Sequence, residues 1–193
     1  IIELALSNYP GFFAGGGVKS GGPVLIYWPA LVDSKHINEV VHFNGKSKEL
    51  KPTSQLNFEE IYYQTEPVKI PDAPKGETSY VPLGTLFGAR SGDKGGCANL
   101  GVWAKDLDAF AFLSSFLTIE KLKELMPDLK EFKIERFDLS NILSLNFYIH
   151  GILEDGVSSN SRKDAQAKSL GEYLRAKKAN IPSSLLETLN EYG

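Results

Sequence analysis

The chain has 193 residues, enough for one large domain or two small ones. Hydrophobic residues make up 42% and charged residues 23%, which excludes a disordered, collagen-like or fibrous chain. Lys plus Arg is 21 against 24 for Asp plus Glu, a net charge of -3, without the basic excess of a nucleic-acid binder.

In chain order, residues 1–6 start without an initiator Met and read as the middle of a structural element. That predicts a missing N-terminal portion. They carry neither the basic region nor the apolar core of a signal peptide. No apolar run approaches the ~20 residues that cross a bilayer, so no membrane partner is expected. Residues 15–17 and 21–22 are glycine runs, read as a loop because they match neither a dinucleotide-binding fingerprint nor a phosphate-binding P-loop. Residues 24–28 read as a short strand stopped by Pro29. Residues 36–43 alternate, Asn44-Gly45 is a favoured two-residue hairpin turn, and residues 46–50 return. Residues 54–64 suit a short helix.

Three prolines between 66 and 79 place a linker there. The expected organisation is 1–65 as the tail of a larger N-terminal domain, 66–79 as linker and 80–193 as an α+β domain. Within the last, residues 80–89 read as a strand with a break at Gly84, 90–99 as a polar glycine-rich loop and 100–104 as a strand. Asp106 caps a helix carrying Leu107, Phe110, Ala111 and Leu117. Thr118 caps a second helix that ends at Pro127. Strands follow at 132–137 and 143–153. Ser161 and Asp164 suit a capping box opening a helix over 163–178, and a last helix begins after Pro182 with Leu185, Leu186 and Leu189. The order β-β-α-α-β-β-α-α predicts a ferredoxin-like sandwich, a mainly antiparallel sheet with helices on one face.

The richest chemistry lies in residues 90–99. Arg90 and Lys94 are cations, and Gly92, Gly95 and Gly96 suit a nest of backbone N–H groups for an anion. Arg90 fits a phosphate or carboxylate bidentately, with Lys94 as a point charge. Ser91, Asp93 and Asn99 supply polar groups. The alternative is a tight loop closed by an ion pair from Asp93 to Arg90 or Lys94. Along 145–150, Asn146, Tyr148 and His150 share one strand face and Leu145, Phe147 and Ile149 the other. Arg162 lies at the start of the expected helix, whose N-terminus favours anions and would join the pocket if it met the loop. Cys97 is the lone cysteine, so no internal disulfide forms and a reducing, cytoplasmic setting is expected. No His is local to Cys97 in sequence, which points to a small buried thiol rather than a nucleophile. His36, His42 and His150 have no metal-ligand spacing, and Ser91 lacks a hydrolase elbow; neither metal nor cofactor is expected.

These residues carry a resemblance. Residues 89–96 (ARSGDKGG) with 98–104 (ANLGVWA) look like the signature of the acyclic terpene utilisation (AtuA-like) family. Phe116-Leu117-Thr118, Leu145-Asn146-Phe147, residues 151–157, the Asp164-x-Gln166-x-Lys168 run and Leu170-Gly171-Glu172 continue it. Residues 9–13 and 27–30 resemble the end of that family's large N-terminal domain. Cys97 stands where the family would place Asn or Asp. The resemblance implies a ferredoxin-fold C-terminal domain tied to catabolism of acyclic terpenes or branched acids through acyl-CoA intermediates. The expected ligand is a CoA thioester or other anionic small molecule. The expected assembly is a homo-oligomer, and the alternative role is a non-catalytic oligomerisation or docking domain.

Overall fold

The structure is a computed structural model and describes residues 21–23, 25, 26, 28–50 and 68–187. The glycine run at 15–17, the helix expected over 54–64 and Leu189 lie outside the described residues. So does everything that precedes residue 21. Leu25, Ile26 and Trp28 belong to no strand, contrary to the reading of 24–28.

In chain order the strands and helices are β1 (Glu39–Phe43), β2 (Lys46–Leu50), β3 (Thr78–Pro82), β4 (Gly88–Lys94) and β5 (Cys97–Trp103), then α1 (Leu107–Phe116), α2 (Ile119–Leu125), β6 (Ile134–Leu139), β7 (Ser144–Ile149), α3 (Leu170–Arg175), β8 (Lys178–Pro182) and α4 (Ser183–Glu187). β1 and β2 form the expected hairpin. Asn44 and Gly45 both take positive φ, 48° and 72°, as a type I′ turn requires. β1 starts at Glu39 rather than at residue 36, because Ser34–His36 is a 3₁₀ turn capped by Asp33.

The centre is a four-stranded antiparallel sheet in the order β4-β5-β7-β6. Alternation decides its two faces. Ala98, Leu100 and Val102 of β5 and Leu145, Phe147 and Ile149 of β7 are buried. They form one core with Phe110 and Leu113 of α1, Leu117, Leu122 of α2, Met126 and Leu129. Each such side chain contributes about 1.5–3 kcal/mol on burial. Residues between them on the strands face away from the helices and are half-buried or exposed. This is an α+β ferredoxin-like arrangement, a sheet with helices against one face.

Both predicted caps form. Asp106 accepts from the Ala109 amide at 2.8 Å, and Thr118 from that of Lys121 at 3.1 Å. α2 ends before Pro127.

Three local expectations are overturned. Residues 80–89 are not one strand: a 3₁₀ turn at Leu83–Thr85 divides β3 from β4. β3 instead pairs with β8, whose residues 179–182 the sequence reading left unassigned between two helices. Pro182 sits at the end of that ladder, where its missing N–H costs little. The helix expected over 163–178 shortens to α3. Asp164 accepts from the Lys168 and Ser169 amides, both at 2.9 Å, and from the Ser169 hydroxyl at 2.6 Å. Those bonds close a turn, and Ala167 takes φ 54°, which an α-helix cannot contain. Finally, residues 90–99 are not a loop.

Candidate functional site

Residues 90–94 continue β4 and 97–99 begin β5, joined by the two-residue turn Gly95-Gly96. Gly95 takes φ 62°. A Cβ on Gly96 would collide with the Glu154 carbonyl, and the Gly96 carbonyl accepts from the Leu153 amide at 2.9 Å. The turn is thus fastened to the segment after β7. The anion nest expected of this stretch does not form. Successive N–H groups of a strand point to opposite sides and cannot converge on one anion.

The register sorts the candidates between the two faces. Arg90, Gly92 and Lys94 alternate with Ser91 and Asp93 along β4. Arg90 faces Gly101 across the ladder, Gly92 faces Asn99 and Lys94 faces Cys97. Asn99 in turn faces Tyr148, and Gly101 faces Asn146. Arg90, Gly92, Lys94, Asn99 and Asn146 therefore share the open face. Ser91 and Asp93 lie in line with Leu100 and Ala98, on the helix side.

Ser91 has a structural task. It is buried, its hydroxyl donates to the Lys168 carbonyl at 3.1 Å, and it accepts from the Gly171 amide at 2.9 Å. Gly171 is in the first turn of α3, where amides lack helical partners. Ser169, at the N-cap, makes no capping bond because its side chain is held by Asp164. Ser91 thus caps α3 from a neighbouring strand. Gly171 permits the approach, since a Cβ there would come within 3.1 Å of the Arg90 Cα.

Neither ion pair considered for this stretch forms. The Lys94 ammonium donates to the main-chain carbonyl of Asp93 at 2.9 Å. Among the described residues, Arg90, Asp93, Lys94 and Lys168 take part in no salt bridge. A shallow cavity of about 390 Å³ runs over the exposed edge of β4, lined by Arg90, Ser91, Gly92, Asp93, Lys94, Asn99, Gly101 and Lys168. Three cations without a carboxylate partner border one concavity. Arg90 and Lys94, four residues apart on a strand, stand ~13 Å apart at their backbones, a span that suits an extended anion.

Arg162 is not brought to this cavity. It sits in the turn before α3, where its amide donates to Asn160 Oδ1 at 3.1 Å. Because the helix it was expected to open is absent, its dipole supplies nothing there. Lys168 takes the position that reasoning gave to Arg162. Its signal was the Asp164-x-Gln166-x-Lys168 run, whose lysine is delivered to β4 by the Asp164 turn.

On the open face, strand pairing assembles a cluster that the sequence did not reveal. Cys97 lies one step beyond the Ala98–Ile149 pair, beside His150. It is half-buried, and the Gly151 amide donates to its Sγ at 3.4 Å. A hydrogen bond between the Tyr148 hydroxyl and Cys97, with burial and the Cys97 and Glu135 charges, raises the phenol above its ordinary pKa. His150 Nε2 is 2.8 Å from Glu135 Oε1, and Lys133 lies 3.1 Å from the same carboxylate. Those two hydrogen bonds, first Lys133 and then His150, hold Glu135 below the usual glutamate range. Among the described residues no group of His, Cys, Asp and Glu could hold a metal ion, and no helix is long and apolar enough to cross a membrane.

A family model, the AtuA ferredoxin-like domain, matches residues 81–180, just over half of the chain. The match runs from within β3 to within β8 and takes in the cavity and the open sheet face. No curated protein and no solved structure matches the chain.

Proposed function

The chain belongs to the AtuA ferredoxin-like domain family, and on that premise we propose that its edge strand β4 binds an anionic small molecule, a CoA thioester of an acyclic terpene or branched acid. The observation that carries this reading is the cavity bordered by Arg90, Lys94 and Lys168, none of which has a carboxylate partner among the described residues. Buried or neutralised cations would argue for a structural role; free ones beside a concavity argue for a ligand. In this reading Arg90 and Lys94 take the phosphates, Lys168 closes the outer side and Asn99 orients the neighbouring part of the ligand. Asp93 reaches the cavity around the strand edge. The domain would work in the cytoplasm as the C-terminal part of a larger protein.

The test is a thermal-shift series of the full chain with CoA, acyl-CoAs and phosphate. Ligand at 100 times Kd stabilises by about 2.7 kcal/mol. Lys94→Ala is expected to abolish that shift while leaving the unliganded stability within about 0.5 kcal/mol of the original, because the residue is exposed. No shift with any anion would refute the reading.

A second reading is favoured by the other half of the open face. There Trp103, Phe137 and Leu139 are exposed at 42, 48 and 39%. Such side chains fit an assembly surface, for a homo-oligomer or for docking onto a further domain. Sedimentation of the wild type and Phe137→Glu separates the two roles: dimer loss without loss of anion binding would assign that half to assembly.

A further inference from the structure

The glycines around the cavity fall into two groups. Gly88, Gly96 and Gly171 are each required by close neighbours: the Trp103 ring, the Glu154 carbonyl and the Arg90 backbone. Gly95 is required by its positive φ. Gly92 and Gly101 have neither reason. A Cβ on Gly92 would meet nothing nearer than Asn99 Oδ1 at 3.9 Å, and one on Gly101 nothing nearer than the Arg90 carbonyl at 3.6 Å. Neither takes a positive φ. Both lie in regular strand, which glycine weakens, and an interior strand glycine commonly marks the close approach of a ligand.

These two positions are diagonal neighbours on the open face, since Gly92 faces Asn99 and Gly101 faces Arg90. Together they leave two diagonal positions of the cavity floor as bare backbone, with Arg90 and Asn99 at the other two. Asn99 and Asn146 stand beside it. Asn99 Nδ2 donates to Asn146 Oδ1 at 3.3 Å, which leaves Asn99 Oδ1 as an acceptor and Asn146 Nδ2 as a donor. An amide donor and acceptor side by side match the edge of a purine. Trp103, lying over Gly88, bounds the same face two residues along β5. The cations border the other side of the floor.

We propose that Gly92 and Gly101 form a flat seat for the purine of a nucleotide-bearing ligand, with Asn99 and Asn146 reading the ring's edge and Arg90, Lys94 and Lys168 holding its phosphates. The inference rests on the anion-binding reading of the same cavity and assigns its floor to one part of the ligand, the purine nucleotide moiety that CoA carries. It also separates roles: the cations supply affinity for any phosphate, and the bare floor supplies selection for a planar base.

The experiment titrates the full chain and its Gly92→Ala and Gly101→Ala variants with CoA and with inorganic pyrophosphate, by calorimetry. CoA is expected to bind the wild type more tightly than pyrophosphate. Each alanine methyl should weaken CoA binding by about tenfold or more, the scale for one misplaced methyl in a fitted site. Pyrophosphate affinity should stay the same, and the variants' melting temperatures should be unchanged or higher. CoA binding equal in variants and wild type would overturn the seat while leaving the anion site standing. So would a preference for pyrophosphate, or a fall in melting temperature that makes the glycines structural. If neither compound binds the wild type, the anion-binding reading falls and the seat with it.

Discussion

Replacing Ser91 with alanine separates a structural residue from its ligand-binding neighbours. The hydroxyl makes two bonds, donating to Lys168 and accepting from the Gly171 amide. Gly171 packs against the Arg90 backbone, so neither water nor another side chain can replace the lost acceptor. An unpaired amide in that position costs about 1–3 kcal/mol. The Lys168 carbonyl is part-buried and regains water more easily. The expected loss is therefore about 2 kcal/mol in all. At ~2–4 °C per kcal/mol for a chain of this size, the melting temperature should fall by roughly 4–8 °C. Urea denaturation with an unchanged slope would assign the loss to the folded state. A stability loss under about 0.5 kcal/mol would refute the cross-strand cap, because that is the range of an ordinary surface change.

Asp106→Ala should cost about 1 kcal/mol through loss of the bond to the Ala109 amide, read by thermal melting. Phe147→Ala, in the middle of the core with no exposed surface, should cost about 3–5 kcal/mol by urea denaturation. Glu135→Gln tests the Lys133–Glu135–His150 group through pH. The hydrogen bonds from Lys133 and then His150 lower the folded pKa of Glu135 from the ordinary glutamate value, so its contribution is present above that ordinary value and is lost as pH falls through the folded pKa. Wild type and variant should differ at neutral pH and converge in acid; a difference that grows in acid would contradict the assignment.

What could be read from the sequence was what local chemistry decides. Asp106 and Thr118 announce helices because a side-chain oxygen three residues before an amide is a local event. Asn44-Gly45 announces a turn because both residues accept positive φ. The alternation of 145–150 predicts the two faces of β7. The failures are places where partners come from afar. Residues 90–99 look like a loop because charge and glycine hide the alternation, and their strand character comes from the β4–β5 ladder, from the pairing of β5 with residues 144–149 and from the lock on Gly96. Gly95-Gly96 was itself an available hairpin signal. Asp164 was expected to complete a capping box with Ser161, but it accepts from the Lys168 and Ser169 amides and closes a turn instead of opening a helix. As for the site, Arg90, Gly92, Lys94, Asn99 and Asn146 were found and do share one face. Ser91 and Asp93 were separated from them by the pleat. Tyr148 and His150 were placed with Asn146 by alternation, but Lys168 could not be joined to the cavity, nor Cys97 and Glu135 to that face, without the register.

The pairing of β3 with β8 sets Thr78 directly opposite Pro182. The points where the chain enters and leaves this unit are thus ~5 Å apart, the spacing of one antiparallel pair. Such a unit works as a graft: it can be spliced into a surface loop of another protein while the host's flanking segments stay almost in contact. The same geometry makes it a natural subject for circular permutation, with a bridge from the end of α4, whose Leu185 is buried in the core, to residue 78 and new ends opened in an exposed turn. It also dictates timing during synthesis. β3 leaves the ribosome with its edge open and waits about a hundred residues for its partner.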